Sequence, residues 1–267
     1  MAETAQVLGA AGFLSPRFLG SLGPAMKKFG STAATGFHAA AQRDPNGTAL
    51  VDDKGSLTFA ALDRSTNAIA RELAKAGVKA GDGVGLFARN HRGFVQAQAA
   101  LDKLGANTLL LNTGFAAPQL KEVCAREGTK VILYDEEFRS IVEGGASEHV
   151  QYVTWAEGDV PETTLDELAE RGDGSPVEPP SQQGRTTILT SGTTGTPKGA
   201  RRTMKRQGRD TGGGLCGRMP LSTGTRNLIV APTVHSGGGF HLLSAAQRGG
   251  PIGLRRRVDP GGPLAAS

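Results

Sequence analysis

The sequence predicts an α/β protein with a mainly parallel sheet, and three observations support this fold class. Segments with helical apolar spacing alternate with short apolar runs of strand length between Leu57 and Trp155. The 267 residues include 38% hydrophobic residues and 39 glycines, a composition typical of a folded chain with a sizeable core. Strands that alternate with helices are joined by right-handed crossovers, which make neighbouring strands parallel.

The segment between Leu57 and Gly77 predicts the first of these helices. Thr58 is a suitable N-cap, and Gly77 followed by Val78 is typical of a left-handed helix end with its hydrophobic contact. The apolar face recurs at steps of four, three, four and three, at Leu62, Thr66, Ile69, Leu73 and Ala76.

The following segments predict strands and helices in alternation. In chain order they are strand Val84–Ala88, a helix carrying Phe94, Ala97, Leu101 and Leu104 up to Gly105, strand Thr108–Leu111, helix Pro118–Glu127 and strand Val131–Tyr134. Strand Tyr152–Trp155 and a short helix around Leu165–Leu168 continue the series, and strands are also predicted at Thr186–Thr190 and Ile252–Leu254.

Composition shifts divide the chain into four parts. Residues 1–34 form a leader, 35–171 a first α/β subdomain, 172–184 a linker or surface loop with three prolines, and 185–267 the start of a second α/β subdomain. Two roles for the leader remain open. It docks on the fold as a loosely ordered segment, or it contacts a membrane surface through Phe13, Leu14, Phe18 and Leu19, with Lys27 and Lys28 behind them.

Charge and cysteine content exclude several classes of protein. The net charge is only +5, and no apolar stretch approaches the roughly 20 residues of a membrane-spanning helix. Cys124 and Cys216 lie far apart without metal-type spacing, which excludes a disulfide framework and a structural zinc site. We therefore expect no metal site built by the protein, and a cytoplasmic setting with or without association with a membrane.

A phosphate-binding loop is predicted directly after the strand that ends at Thr190. The string Ser191-Gly192-Thr193-Thr194-Gly195-Thr196-Pro197-Lys198-Gly199 combines glycines, hydroxyl groups and one lysine. Glycines let backbone N–H groups approach an anion, hydroxyls add donors, and the ammonium group neutralises charge. A Walker A loop is excluded, because Pro197 stands where that pattern requires its second glycine, and Lys198 is followed by Gly199.

The string ILTSGTTGTPKG resembles the phosphate-binding signature of the adenylate-forming enzymes, which include acyl-CoA synthetases, luciferases and peptide-synthetase adenylation domains. Other stretches are similar to the same family in the same order, over about residues 35 to 267. They are SLTFAALDRSTNAIARELAKAGVKAGDGV, Arg89-Asn90, DKLGANTLLLNTGFAAPQL, the segment from Pro232 to Gly238, and RRRVDPGGPLAAS.

The resemblance implies a ligase that activates a carboxylic acid with ATP and Mg²⁺, and then transfers the acyl group to coenzyme A. The expected ligands of the ATP phosphates are Thr190, Ser191, Gly192, Thr193, Thr194 and Gly195, with Lys198 as countercharge. His235 and Gly238 are expected beside the acyl pocket. The segment has no aspartate to hold a substrate amino group, so a fatty or aryl acid is favoured over an amino acid.

The family also has a Tyr-Gly-x-Thr-Glu motif, a ribose-binding aspartate, a hinge and a C-terminal domain with a catalytic lysine. None of these occurs in this sequence, so the catalytic residue is unassigned. The resemblance therefore implies a truncated N-terminal domain of this fold, with activity expected only in the intact protein. The alternative is a noncatalytic remnant that binds nucleotide or acyl groups; the oligomeric state is left open.

A basic cluster after the loop raises a third function, an interaction protein that binds polyanions. The cluster contains Arg201, Arg202, Lys205, Arg206 and Arg209. Aromatic residues make up only 5% of the chain, so there is little material for base stacking. A solvated surface is the better interpretation, and we expect no nucleic-acid partner.

Overall fold

The computed structural model describes residues 9–190, 198–200 and 222–257 of the chain. Its helices are α1 (Pro16–Phe29), α2 (Ala33–Arg43), α3 (Phe59–Lys75), α4 (Arg92–Leu104), α5 (Ala117–Glu127), α6 (Arg139–Ala146), α7 (Leu165–Arg171) and α8 (Ser236–Arg248). Its strands are β1 (Thr48–Asp52), β2 (Gly55–Thr58), β3 (Gly83–Phe87), β4 (Asn107–Leu110), β5 (Thr129–Asp135), β6 (Val150–Trp155), β7 (Thr186–Thr190), β8 (Lys198–Ala200), β9 (Asn227–Ile229) and β10 (Ile252–Leu254).

Helix α3 has the ends that the sequence predicts. The Thr58 side chain accepts a hydrogen bond from the Ala61 N–H at 3.2 Å, so it is the N-cap. Gly77 has a φ of +95°, and the Val78 N–H donates to the Leu73 carbonyl at 3.0 Å. A left-handed glycine at this point satisfies a carbonyl of the last turn, which would otherwise lack a partner.

Strands β3 to β8 form a six-stranded sheet in the order β6-β5-β3-β4-β7-β8. All neighbouring pairs are parallel except β7 and β8, which are antiparallel. This confirms the predicted parallel α/β fold. The carboxyl ends of β3 to β7 therefore meet at one edge of the sheet, where ligands of open α/β sheets usually bind.

The other four strands form a second sheet in the order β2-β1-β10-β9. Strand β1 pairs in parallel with β10, with Leu50 opposite Ile252. The side chains of Leu50 and Ile252, on the inner face of this sheet, are buried. Val51 and Leu228, on its outer face, are exposed.

Two hydrophobic cores hold the layers together. The larger lies between the two sheets and includes α2, α3, α4 and α8, with Phe37, Leu62, Leu101 and Ala246 almost fully buried. The smaller lies on the far face of the six-stranded sheet under α5 and α6, around Leu120, Tyr134 and Val142.

Residues 16–29 of the leader form α1, a helix that the apolar spacing does not predict because Gly20, Gly23 and Pro24 interrupt it. Phe18 and Phe29 are buried, and α1 packs on α2. Phe18 is therefore not available for the membrane contact expected of it.

The predicted division at residues 172–184 does not separate two sheets. Strand β7 lies beside β4, and β9 and β10 lie beside β1, so each sheet contains strands from both sides of the segment. The cause is pairing between residues far apart in sequence, which local composition cannot reveal. The segment itself contains neither helix nor strand, as expected of a loop.

Candidate functional site

The two ends of the predicted phosphate loop lie side by side. Thr190, the last residue of β7, stands opposite Lys198, the first residue of β8, in an antiparallel pair. Cα atoms of directly opposed residues in such a pair are about 4.5–5.5 Å apart. The expected ligands Ser191, Gly192, Thr193, Thr194 and Gly195, and the basic cluster from Arg201 to Arg209, lie outside the described residues.

The loop starts at the carboxyl edge of the six-stranded sheet. Strand β7 is parallel to β4 and β3, so its last residue, Thr190, lies at the same edge as the turn of Arg89 and Asn90 that follows β3. Two strand spacings, roughly 10 Å, separate β3 from β7. The fold therefore brings the loop and this turn to one edge.

Asn90 joins that edge to the segment that carries the predicted acyl-pocket residues. Its Oδ1 accepts hydrogen bonds from both the N–H and the hydroxyl of Thr233, each at 2.9 Å. Its Nδ2 donates to the Ala231 carbonyl, also at 2.9 Å. Asn90 and Thr233 are both buried, so these bonds fix the position of the Pro232–Gly238 segment against the six-stranded sheet.

The two predicted acyl-pocket residues have different surroundings. His235 is exposed and stands at the N-cap position of α8, without a capping bond from its side chain. Gly238 is buried in the first turn, and a Cβ there would lie 2.3 Å from the Pro232 carbonyl oxygen. The close approach of two backbones therefore requires glycine at this position.

A buried polar group that sequence reasoning missed supports the turn after β3. Asp135, the last residue of β5, accepts hydrogen bonds from the Arg89 N–H at 2.8 Å and from the Thr154 hydroxyl at 2.5 Å. His91 Nε2 lies 2.7 Å from Asp135 Oδ1, and both side chains are fully buried. The sequence contained one indication of this group, because Asp135 and Arg89 each come directly after an apolar run that predicts a strand.

Three arginines converge on Glu137 beside this turn. Arg89 binds Glu137 through two hydrogen bonds of 2.9 and 3.0 Å, and Arg257 donates to it at 3.1 Å. Arg256 Nη1 lies 3.5 Å from the same carboxylate. Burial disfavours ionised Glu137, but the bonds from Arg89 and Arg257 outweigh it and hold the Glu137 pKa below its ordinary value. Since Arg256 and Arg257 follow β10, this cluster ties the two sheets together at the same edge.

A cavity of about 330 Å³ lies at the opposite edge of the six-stranded sheet. Its walls come from the amino ends of β3, β4, β5 and β7, including Gly83, Asn107, Thr129 and Thr186. It is separated from the loop by the length of the strands, so it does not belong to the candidate site. Within the described ranges, no group of three or more acidic, histidine or cysteine side chains could hold a metal ion.

Comparison with known proteins agrees with this arrangement. The sequence is 29% identical over 231 residues to a feruloyl-CoA synthase of Amycolatopsis, an alignment that covers 85% of this chain and 44% of that protein. It is 30% identical over 218 residues to the 2-succinylbenzoate–CoA ligase of Geobacillus kaustophilus, covering 81% of this chain and 42% of the ligase. The chain thus spans less than half of the length of these relatives.

Solved structures share the fold. The O-succinylbenzoate coenzyme A synthetase of Bacillus subtilis in complex with AMP superposes with a TM-score of 0.68 at 24% identity, over 84% of this chain and 56% of that one. A Mycobacterium tuberculosis fatty acyl CoA synthetase superposes with a TM-score of 0.69 at 20% identity, over 86% and 45%.

A family model described as AMP-binding enzyme matches residues 37–265, which include every element from β1 to β10 and both ends of the phosphate loop. The chain belongs to the AMP-binding enzyme family, whose members among its relatives are AMP-forming acyl- and aryl-CoA ligases.

Proposed function

We propose that the protein of which this chain forms all or part is an acid–thiol ligase that activates a fatty acid with ATP and transfers the acyl group to coenzyme A. The observation that carries the proposal is the pairing of Thr190 with Lys198. It places both ends of a glycine- and hydroxyl-rich segment at the carboxyl edge of a parallel sheet. Membership of the AMP-binding family supports the use of ATP.

In the first step, a carboxylate oxygen of the acid attacks the α-phosphorus of ATP, and the bond to pyrophosphate breaks. We assign the β- and γ-phosphates to Thr190, Ser191, Gly192, Thr193, Thr194 and Gly195. Lys198 supplies the countercharge for the pyrophosphate that leaves. Phosphoryl chemistry needs positioning and charge neutralisation more than covalent help from the protein, which suits a loop of this composition.

Mg²⁺ would neutralise phosphate charge in this step. Mg²⁺ is usually held by one or two carboxylates together with substrate phosphates, so the phosphates of ATP would supply part of its coordination. In the second step the thiol of coenzyme A attacks the acyl carbon. AMP leaves, and the thiol proton is released to solvent or a nearby base.

We place the acid near the start of α8. His235 is exposed at the N-cap position and can contact a substrate, whereas Gly238 acts by letting the Pro232 backbone lie against the helix. Residues 232–240 contain no acidic side chain to hold an amino group. The relatives named above are a feruloyl-CoA synthase and a 2-succinylbenzoate–CoA ligase. The experiment must therefore distinguish a fatty acid from an aromatic acid as the substrate.

The test is ATP–pyrophosphate exchange, measured with a saturated fatty acid, ferulate and 2-succinylbenzoate in parallel. The fatty acid should support the fastest exchange. Faster exchange with either aromatic acid would reassign the substrate but leave the ligase chemistry intact. The alternative is a noncatalytic protein that binds nucleotide or acyl groups. It predicts that ATP binds, as measured by calorimetry, without exchange for any acid.

We propose that this chemistry takes place in the cytoplasm. Cys124 is a buried free thiol, and burial raises its pKa to about 11. A buried thiol of this kind is inert and needs no oxidising compartment.

A further inference from the structure

The outer face of helix α1 carries large apolar side chains that are about half exposed. Leu19 and Met26 are 50% and 43% exposed, and Leu14, just before the helix, is 46% exposed. Leu19 and Met26 are seven residues apart, which places them on the same side of the helix. Beside them Gly20 and Gly23 face open space, since nothing lies within 4 Å of where a Cβ would stand.

The opposite face of α1 anchors the helix to the protein. Phe18, Ala25 and Phe29 are buried, and the Phe18 ring lies under the guanidinium group of Arg43, 4.9 Å away. The Arg43 Nη1 also donates to the Ser21 hydroxyl at 2.8 Å. The exposed side chains are therefore presented on a helix with a fixed orientation.

The segment of sequence that includes α1 carries charge of one sign. No aspartate or glutamate occurs from Ala5 to Arg43, whereas Arg17, Lys27, Lys28 and Arg43 all lie in this stretch. Arg17 and Arg43 lie on the anchored side, where the Arg17 guanidinium donates a hydrogen bond to the Arg43 carbonyl. Lys27 is exposed, and within the described ranges neither Lys27 nor Lys28 is within ion-pair distance of an acid.

The helix also lies outside the part of the chain that the family shares. The match to the AMP-binding family begins at residue 37, and α1 ends at Phe29. The matched part of the family therefore does not include the exposed apolar side chains of α1. None of the helices in the described ranges has both the length and the apolar composition to cross a membrane.

We propose that α1 binds the surface of an anionic phospholipid membrane, lying in the plane of the interface. Leu14, Leu19 and Met26 would enter the boundary between headgroups and acyl chains, and Lys27 and Lys28 at the end of the helix would contact the phosphates. Interfacial helices combine an apolar face with a basic one in this way. Charge complementarity favours an anionic membrane over an apolar protein surface as the partner of α1, because an apolar surface would leave the basic side chains without partners. The contact does not depend on ATP or on the acyl substrate.

The experiment uses the whole 267-residue chain and two kinds of vesicle, phosphatidylcholine alone and phosphatidylcholine mixed with phosphatidylglycerol. Trp155 is the sole tryptophan of the sequence and is buried, so a Leu19→Trp variant adds one reporter on α1. Brominated anionic vesicles should quench the new fluorescence and shift it to the blue. The matched control is Val150→Trp, because Val150 is 48% exposed at the start of β6, away from α1. Its added fluorescence should not be quenched.

Cosedimentation with the anionic vesicles measures affinity. Lys27→Glu with Lys28→Glu should weaken binding by more than about tenfold, since each basic residue near an anionic surface contributes a several-fold factor. The control, Lys121→Glu with Arg126→Glu, makes the same change in net charge at two exposed sites of α5, on the far face of the six-stranded sheet from α1, and should bind as the parent does. Leu19→Ser with Met26→Ser should also weaken binding, whereas Val150→Ser should not.

Several results would overturn the proposal. Equal loss in the α1 variants and their controls would mean that net charge alone drives association. No quenching of Leu19→Trp would mean that α1 stays in water. If Leu19→Ser with Met26→Ser converts a dimer into a monomer without lipid, the occupant is a second copy of this chain. Circular dichroism and thermal unfolding of each variant verify that loss of binding is not loss of fold.

Discussion

The amide of Asn90 and the backbone of Thr233 are joined by hydrogen bonds in the interior, although the two residues are far apart in the chain. One oxygen of Asn90 accepts both the N–H and the hydroxyl of Thr233 at 2.9 Å, and Thr233 is completely buried. This contact connects the edge that carries the phosphate loop to the segment before α8. The start of α8 therefore depends on a side chain of the turn that follows β3.

Asn90→Ala should lower the free energy of unfolding by about 1–3 kcal/mol, because two buried donors of Thr233 lose their acceptor. Thr233→Val removes only the hydroxyl donor, keeps the backbone hydrogen bond to Asn90, and should cost less. Urea unfolding measures both, with Asn46→Ala as a control on the exposed surface. A loss for Asn90→Ala no larger than that for the control would show that these bonds do not stabilise the fold.

Lys198→Ala should raise the Kd for ATP by about 10- to 100-fold, the effect of losing a charge-assisted hydrogen bond to phosphate. The backbone pairing of Lys198 with Thr190 does not need the lysine side chain, so the strands should persist. Isothermal titration with ATP tests this, with the exposed Lys121→Ala as control. An unchanged Kd would remove Lys198 from the phosphate site.

Gly238→Ala and Gly237→Ala should have opposite effects on stability. A methyl group at position 238 would lie 2.3 Å from the Pro232 carbonyl oxygen, whereas one at 237 has nothing within 4 Å. The first should cost about 1–3 kcal/mol through overpacking. The second should gain up to about 1 kcal/mol, since alanine favours a helix more than glycine does. The comparison fails if both variants shift urea unfolding in the same direction.

Asp63 should make the protein lose stability in acid. Burial disfavours its ionised form, but hydrogen bonds and charge from His38 and Lys103 outweigh burial and lower the Asp63 pKa from 3.8 to about 2. Because the folded state binds this proton less readily, the contribution is present above about pH 4 and is lost as the pH falls through 2. It amounts to about 2 kcal/mol.

The measurement compares urea unfolding at pH 5 and pH 2.5 for the parent and Asp63→Asn. The difference in stability between the two pH values should be smaller in the variant, because the titrating group is gone. Asp53→Asn, at a site about half exposed, is the control and should show the same difference in stability between the two pH values as the parent. If Asp63→Asn also shows the parent's difference, Asp63 is not the group that causes the loss of stability in acid.

Local patterns predicted most of the elements from α3 to β7, because each signal there lies within one turn or strand, but they did not predict α6. Thr58 and Gly77 mark the ends of α3 through contacts a few residues away. Helix α1 was missed for the converse reason. Two glycines and a proline weaken its local signal, and its stability comes from burying Phe18 and Phe29 on α2.

The site was predictable only in part for the same physical reason. The glycine, threonine and lysine string is local, so its composition alone indicated phosphate binding. The contacts that support it join residues far apart in sequence, such as Asp135 with His91 and Asn90 with Thr233. No spacing rule within one segment can reveal such pairs.

The pairing of Leu50 with Ile252 also determines the order in which the fold can be completed during synthesis. Strand β1 leaves the ribosome early and can form a hairpin with β2 at once, but its second neighbour is made some 200 residues later. Until then one edge of β1 carries unpaired N–H and C=O groups, which is a risk for aggregation. A nascent chain of this protein therefore needs protection at β1 until β10 has been made.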